Sequence, residues 1–254
     1  MLWAIDVGNT QTVVGARDGD SWAAVWRLTT GPRTADETAA ALIQLGSTQG
    51  IGLVGEHVVV ASVVPSQDEV WAEWSQKWLG RKAWFLRSGS DVGLEVAYDP
   101  PHGVGADRIA NALAAVRRFG APVIVVDFGT ATTFDVVDPQ GAYVGGAIVP
   151  GVAASVETLA RGTAKLPPVA LEAPERAIGR NTVEAVQSGV MLGYAGAIDR
   201  LAELVRSELG QIAPIVATGG LAGRFDGLCR CIDHVEPLLT LDGLVEAARA
   251  RRSE

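Results

Sequence analysis

The run Ile5-Asp6-Val7-Gly8-Asn9-Thr10 returns, altered, as Val126-Asp127-Phe128-Gly129-Thr130-Ala131-Thr132. Each copy is an apolar stretch ending in Asp, then one spacer, a Gly and a set of hydroxyl or amide side chains. The two aspartates lie 127 − 6 = 121 residues apart, close to half of the 254-residue chain. The pattern suits a strand that finishes in a tight turn. Glycine lets backbone N–H groups approach a polyanion, Thr and Asn add donors, and the carboxylate stands where a cation can sit. A single Asp-x-Gly is an ordinary turn. Two copies, each closing an apolar strand, indicate a duplicated domain with a phosphate clamp in each half, and hence a nucleotide-handling enzyme.

Outward from the first copy, residues 2–6, 12–16 and 23–28 are predicted strands, with Asp18-Gly19-Asp20 as a turn. Thr34-x-x-Glu37 is a capping-box pattern opening an Ala-rich helix that reaches Leu45. Residues 57–64 form a β-branched run, hence a buried strand. Ser66-x-x-Glu69 opens a helix whose Trp71, Trp74 and Trp78 fall at i, i+3 and i+7, a core face rather than an aromatic ligand platform. All seven tryptophans precede residue 85, so the first half has its own aromatic core. A short strand over 83–86 precedes the loop Tyr98–Gly105, whose prolines and glycines forbid regular structure. A helix over 106–119 follows, stopped by Gly120.

The second half replays this order. Strands are predicted over 123–127, 131–137 and 143–149, with Asp138–Gly141 as a hairpin turn. Gly145-Gly146-x-x-x-Pro150-Gly151 is a candidate hinge-side connection leading into a helix over 152–160. Residues 161–180 are Pro-rich and irregular. Asn181 or Thr182 caps a long helix reaching Leu209, whose Gly189, Gly193 and Gly196 allow close packing. A strand over 215–218 runs into Gly219-Gly220, either a plain strand–helix turn or a place where an adenosine approaches the backbone. A last helix covers 241–251. The expected division is 1–115 and 116–254.

The chain is 48% hydrophobic, ample for a buried core. The net charge is −8, and the three lysines (Lys77, Lys82, Lys165) form no basic stripe, so a nucleic-acid partner is not expected. An acidic enzyme still binds a nucleotide through local amides and a metal. Cys229 and Cys231 cannot complete a four-ligand zinc site, and His57, His102 and His234 are scattered; a partial site using His234 stays open beside ordinary reduced thiols. Met1–Ile5 runs straight into Asp6, so no secretory h-region is read. No uncharged apolar run approaches the roughly 18 residues of a membrane span. A soluble cytoplasmic protein without a membrane partner is the expectation. The Walker A, G-x-S-x-G and H-E-x-x-H patterns are absent, and Gly103-x-Gly105-x-x-Arg108 breaks the dinucleotide fingerprint.

Gly103-Val104-Gly105-Ala106-Asp107-Arg108 places a carboxylate and a guanidinium on the first turn of a helix. Asp is common there and Arg108 can be a surface charge. The functional alternative has Asp107 accepting a proton from a substrate hydroxyl while Arg108 holds a substrate carboxylate bidentately. Repeated strand–turn–strand clamps followed by helices describe an α/β protein of two related actin-like (ribonuclease H-like) domains, a fold whose nucleotide lies in an interdomain cleft.

Over nearly its whole length the chain resembles the type III pantothenate kinases. The resemblance rests on Asp6-x-Gly8-Asn9-Thr10, Gly103-x-Gly105-Ala106-Asp107-Arg108, Asp127-x-Gly129-Thr130-Ala131-Thr132 and Gly145-Gly146-x-Ile148-x-Pro150-Gly151, in the family's order and with no key position substituted. It implies ATP-dependent phosphorylation of pantothenate to 4'-phosphopantothenate, the first step of coenzyme A biosynthesis. It implies that Asp6, Val7, Gly8, Asn9, Thr10, Gln11, Thr12 and Val13 cradle the ATP phosphates, with Asp6 near Mg²⁺, and that Thr130 contacts ATP. Asp107 would be the catalytic base. Tyr98, Gly105, Ala106 and Arg108 would bind the rest of pantothenate. Asp127 would coordinate a monovalent cation, K⁺ or NH₄⁺. Thr182 would reach the substrate from the partner subunit of a homodimer. Two alternatives stand beside this: another actin-like small-molecule kinase, for instance on a sugar, and a catalytically silent relative acting as a regulatory or accessory protein. The sugar kinases of the repressor-related type carry a Cys/His zinc cluster that this chain lacks, and intact Asp6, Asp107 and Asp127 weigh against a silent relative.

Overall fold

The computed structural model describes residues 1–161 and 169–252. In chain order its strands are β1 (Leu2–Val7), β2 (Gln11–Asp18), β3 (Ser21–Thr29), β4 (His57–Ser62), β5 (Trp84–Leu86), β6 (Val123–Phe128), β7 (Ala131–Val137), β8 (Tyr143–Pro150), β9 (Ile215–Thr218) and β10 (His234–Val235). The α-helices are α1 (Ala35–Ser47), α2 (Pro65–Leu79), α3 (Ala106–Phe119), α4 (Val152–Arg161), α5 (Thr182–Leu209), α6 (Ala222–Phe225) and α7 (Leu239–Arg252). Residues 162–168 of the segment read as irregular lie outside the described residues, and 169–180 form no regular element.

The chain divides into two compact units, Met1–Ala114 together with the segment from Leu239 onward, and Ala115–Leu238. The expected division, 1–115 and 116–254, puts its break beside this one but leaves the closing segment with the second half. The closing helix α7 packs on β1 and β4 of the first unit rather than on the second. The units correct the reading of Gly145–Gly151 as a connection between halves, because that stretch is β8 and its exit, inside the second unit.

Each unit holds a five-stranded sheet, ordered β3-β2-β1-β4-β5 and β8-β7-β6-β9-β10. In both, the Asp-tipped strand is central. It pairs antiparallel with the strand after it and parallel with a later one. Parallel partners need a long crossover, which α1 supplies in the first unit and α4 with α5 in the second. The registers match as well: Asp6 faces Val13 and Ala61, and Asp127 faces Thr133 and Thr218.

The first unit's core is built on Trp3, Trp26, Trp71 and Trp74. Trp74 meets both Trp3 and Trp71 edge-on at 5.4 Å between ring centroids, a favoured aromatic geometry. Trp78 leaves this stripe and donates its indole N–H to Asp36 Oδ1 at 3.1 Å. The capping box at Thr34 and Glu37 forms as read. At α2 Ser66 is not the cap: the helix starts at Pro65, whose fixed φ and missing N–H suit a first helical position.

In the second unit Phe128 stacks on Phe225 at 4.8 Å, and Met191, Ala195, Ile198 and Ala202 form the buried face of α5. Gly189, Gly193 and Gly196 lie on the other face, where added methyl groups would meet nothing within 4 Å among the described residues, so the stripe packs on none of them. The wholly buried Asp135 accepts from Tyr143 Oη at 2.8 Å and Thr133 Oγ1 at 3.0 Å, pinning β7 to β8. Among the described residues no helix is long and apolar enough to cross a membrane.

Candidate active site

Gly8 N–H donates to the Gln11 carbonyl at 3.1 Å, closing the turn after β1. Asn9, Thr10 and Gln11 are exposed, so their side chains are open to a ligand. Val7 and Thr12 are not. Val7 is wholly buried, and the buried Thr12 Oγ1 lies 2.8 Å from Thr30 Oγ1. Neither side chain is therefore available to a ligand, which leaves only the backbone of these two positions.

The N-terminus of α3 is held beside this turn in the same unit. Val63 N–H donates to the Val7 carbonyl at 3.1 Å, and Val63 Cγ1 would stand 3.3 Å from any Cβ at position 105. The segment leaving β4 thus touches the first turn on one side and Gly105 on the other. Asp107 Oδ1 accepts from the Arg108 N–H at 2.8 Å. Burial raises the Asp107 pKa above the ordinary carboxylate value, against the opposing pull of the Arg108 N–H and guanidinium. The lift moves Asp107 toward the range in which a carboxylate makes a competent base. Arg108 is itself buried, and the Tyr98 ring lies against Gly103. Asn111, one turn beyond Asp107 and fully buried, accepts from Thr240 Oγ1 at 2.8 Å. The i, i+4 spacing from Asp107 was its only signal in the sequence.

In the second unit Gly129 N–H donates to the Ala131 carbonyl at 3.1 Å, the counterpart of the first turn. Gly219 has φ +91°, and a methyl group there would run into Asp127 Oδ1 and the Phe128 carbonyl. Two oxygens thus converge where only a glycine fits. A carboxylate beside a carbonyl is an oxygen donor set of the kind hard cations take. Among the described residues no group of three His, Cys, Asp or Glu could hold a metal ion. A lone Asp6 is still compatible with Mg²⁺, which is commonly bound through one or two carboxylates plus substrate phosphates. Tyr194 of α5, which no pattern singled out, places its hydroxyl 2.7 Å from Thr132 Oγ1 and 3.0 Å from the Pro150 carbonyl, steadying the strand that leaves the second turn. Asn181, not Thr182, caps α5, its side chain accepting from Glu184 N–H at 3.0 Å. Thr182 is exposed beside a cavity of about 660 Å³ lined also by Leu159, Arg180, Asn181 and Val190.

Cys229 and Cys231 are free and buried. Burial, reinforced by Asp199, pushes both thiols up to about 12. The His234 ring stacks on Phe119 at 4.5 Å. At pH 8 the native protein should show no fast reaction with a disulfide reagent and two equivalents once denatured, because only thiolates attack. Fast labelling of the folded chain would contradict this burial.

Two sheets of one order, each with an Asp-tipped turn on its central strand, make the duplicated unit of the actin-like nucleotide-binding fold. The model of the family "Type III pantothenate kinase" matches residues 2–204. A type III pantothenate kinase of Thermomicrobium roseum is 50% identical over 250 residues, 97% of this chain and 96% of that one. Another, of Moorella thermoacetica, is 44% identical over 246 residues, 96% of this chain and 97% of that one. A crystal structure of a Baf family transcriptional activator candidate from Campylobacter jejuni superposes with a TM-score of 0.62 at 18% identity, covering 99% of this chain and 100% of that one, a likeness of fold. The chain belongs to the type III pantothenate kinase family.

Proposed function

We propose that the chain transfers the terminal phosphoryl group of ATP to the primary hydroxyl of pantothenate, and that the residues named above carry that reaction. The carrying observation lies within the first unit: an open Asn9-Thr10-Gln11 turn and a carboxylate lifted by burial on the first turn of α3, both resting on Val63. Phosphoryl transfer asks a protein mainly for positioning and charge neutralisation, and these elements are of that kind. The Asp6–Val13 turn receives the phosphate chain, with Asp6 toward Mg²⁺ and Thr130 as a further ATP contact. Asp107 takes the hydroxyl proton. Arg108 offers a planar fork to the pantothenate carboxylate, and Tyr98, Gly105 and Ala106 complete that pocket. Asp127 holds K⁺ or NH₄⁺; the two kinds of cation offset charge on the transferred group.

Thr182 serves the substrate of a second copy in a homodimer. The exposed Gly189, Gly193 and Gly196 face of α5, with Leu159 44% exposed in the cavity it shares with Gly189 and Ile178 81% exposed shortly before the helix, supports an apolar surface for that copy. A coupled assay of ADP release tests the activity. ADP should appear only with pantothenate and should rise when K⁺ is supplied. No pantothenate-dependent ADP with or without K⁺ would leave the silent-relative reading in its place.

A further inference from the structure

The loop from Thr30 to Thr34, joining β3 to α1, is fixed at both ends. Thr30 N–H donates to the Thr10 carbonyl at 3.0 Å, and the Thr30 and Thr12 hydroxyls lie 2.8 Å apart, so one end is tied to the first turn. At the other end the Thr34 N–H and hydroxyl donate to Glu37 Oε2 at 2.8 and 3.1 Å, and Glu37 N–H returns to Thr34 Oγ1 at 3.2 Å. Arg33 stands between these anchors. It lines a cavity of about 660 Å³ together with Asn9, Thr30, Thr34, Ser66 and Gln67.

Among the residues lining that cavity Arg33 is the sole cation. The acid there, Glu37, is hydrogen-bonded by Thr34; the Arg33 charge acts on it at longer range, but among the described residues no carboxylate pairs with Arg33 at ion-pair distance. No lysine occurs before Lys77, and Lys77 is paired with Asp36 at 2.8 Å. In a chain of net charge −8, a triphosphate on the Asn9 turn would find few cations near it.

We propose that Arg33 is a further ATP-binding residue, its guanidinium engaging the phosphate chain laid on the Asn9 turn. This rests on the reading of that turn as the phosphate cradle. Asn9 belongs to the turn and to the cavity alike, so an anion held by the first is presented to the second. The guanidinium matches phosphate oxygens bidentately. Its fixed loop means that little chain entropy is lost on binding.

The test compares Arg33→Gln and Arg33→Lys with the unaltered chain. In R33Q the KM for ATP should rise about tenfold, as expected for one charge-assisted hydrogen-bonded contact. The KM for pantothenate and the melting temperature should stay put, and R33K should recover part of the loss. Calorimetric titration with ATP, ADP and AMP should show the R33Q penalty shrinking as phosphates are removed. Unchanged ATP affinity in R33Q overturns the assignment. So does an equal penalty for ATP and AMP, which places Arg33 on the nucleoside. A raised KM for pantothenate alone gives the guanidinium to the acid substrate and also overturns it. If the unaltered chain makes no pantothenate-dependent ADP, the kinase reading falls, while the ATP titration still decides on Arg33.

Discussion

Replacing Asp107 by Asn lowers turnover by about a hundredfold or more, while at pH 7 the folded chain holds or gains stability. Both effects come from burial. The carboxylate is taken from water at the start of α3, and its pKa rises above the model-compound value. A group whose folded pKa is raised contributes its stability below the unfolded value of about 3.9, and that contribution is lost as pH climbs through the folded value. Once pH exceeds the folded value the fold carries a desolvated charge that asparagine removes, and the amide oxygen still accepts from the Arg108 N–H. Melting temperatures at pH 7 and pH 4 check this: the variant's advantage should shrink toward pH 4. The acid limb of the pH–rate profile should lie above that of an unshifted aspartate, since the base must be ionised to act. Near-normal turnover would remove Asp107 from its role. Lost activity with a lower melting temperature at pH 7 would make it a structural residue.

What the sequence disclosed is what local chemistry writes down. The two Asp-x-Gly turns, the capping box at Thr34, the helix over 106–119 and the strand over 131–137 each leave a mark within a few residues. Strand β10 has only two residues and leaves no period to detect. The helix start at Pro65 was hidden because Ser66 offered a competing capping pattern. The burial of Thr12, whose hydroxyl shares a hydrogen bond with that of Thr30, depends on a partner 18 residues away. Asp135 and Tyr143 satisfy each other across two strands, a pairing that register alone decides. The largest miss is α7. A terminal helix following the second sheet is naturally assigned to the second half, and nothing in its own 14 residues says which sheet will cover its apolar face.

Changing Gly243 to Ala tests that placement, and the expected result is a marked loss of stability in the first unit. Gly243 sits where α7 crosses α3, and an added methyl group would overlap the Ala110 carbonyl. A backbone carbonyl inside a helix has no rotamer to yield, so α7 itself must move. It is held by Leu241, Leu244 and Ala247, all buried, by Thr240 on Asn111, and by Trp22 Nε1 donating to Asp242 Oδ1 at 2.9 Å. Overpacking at such a contact costs about 3 kcal/mol at the upper end of its usual range. Alanine returns about 1 kcal/mol through its better helix propensity. The net loss is about 2 kcal/mol, readable as a lower urea midpoint. Because Ala110 and Asn111 follow Asp107 by one turn of α3, the same variant should lower kcat/KM for pantothenate more than for ATP. An unchanged midpoint would mean that α7 does not rest on α3, and the helix would return to the second unit, where its position in the sequence first put it.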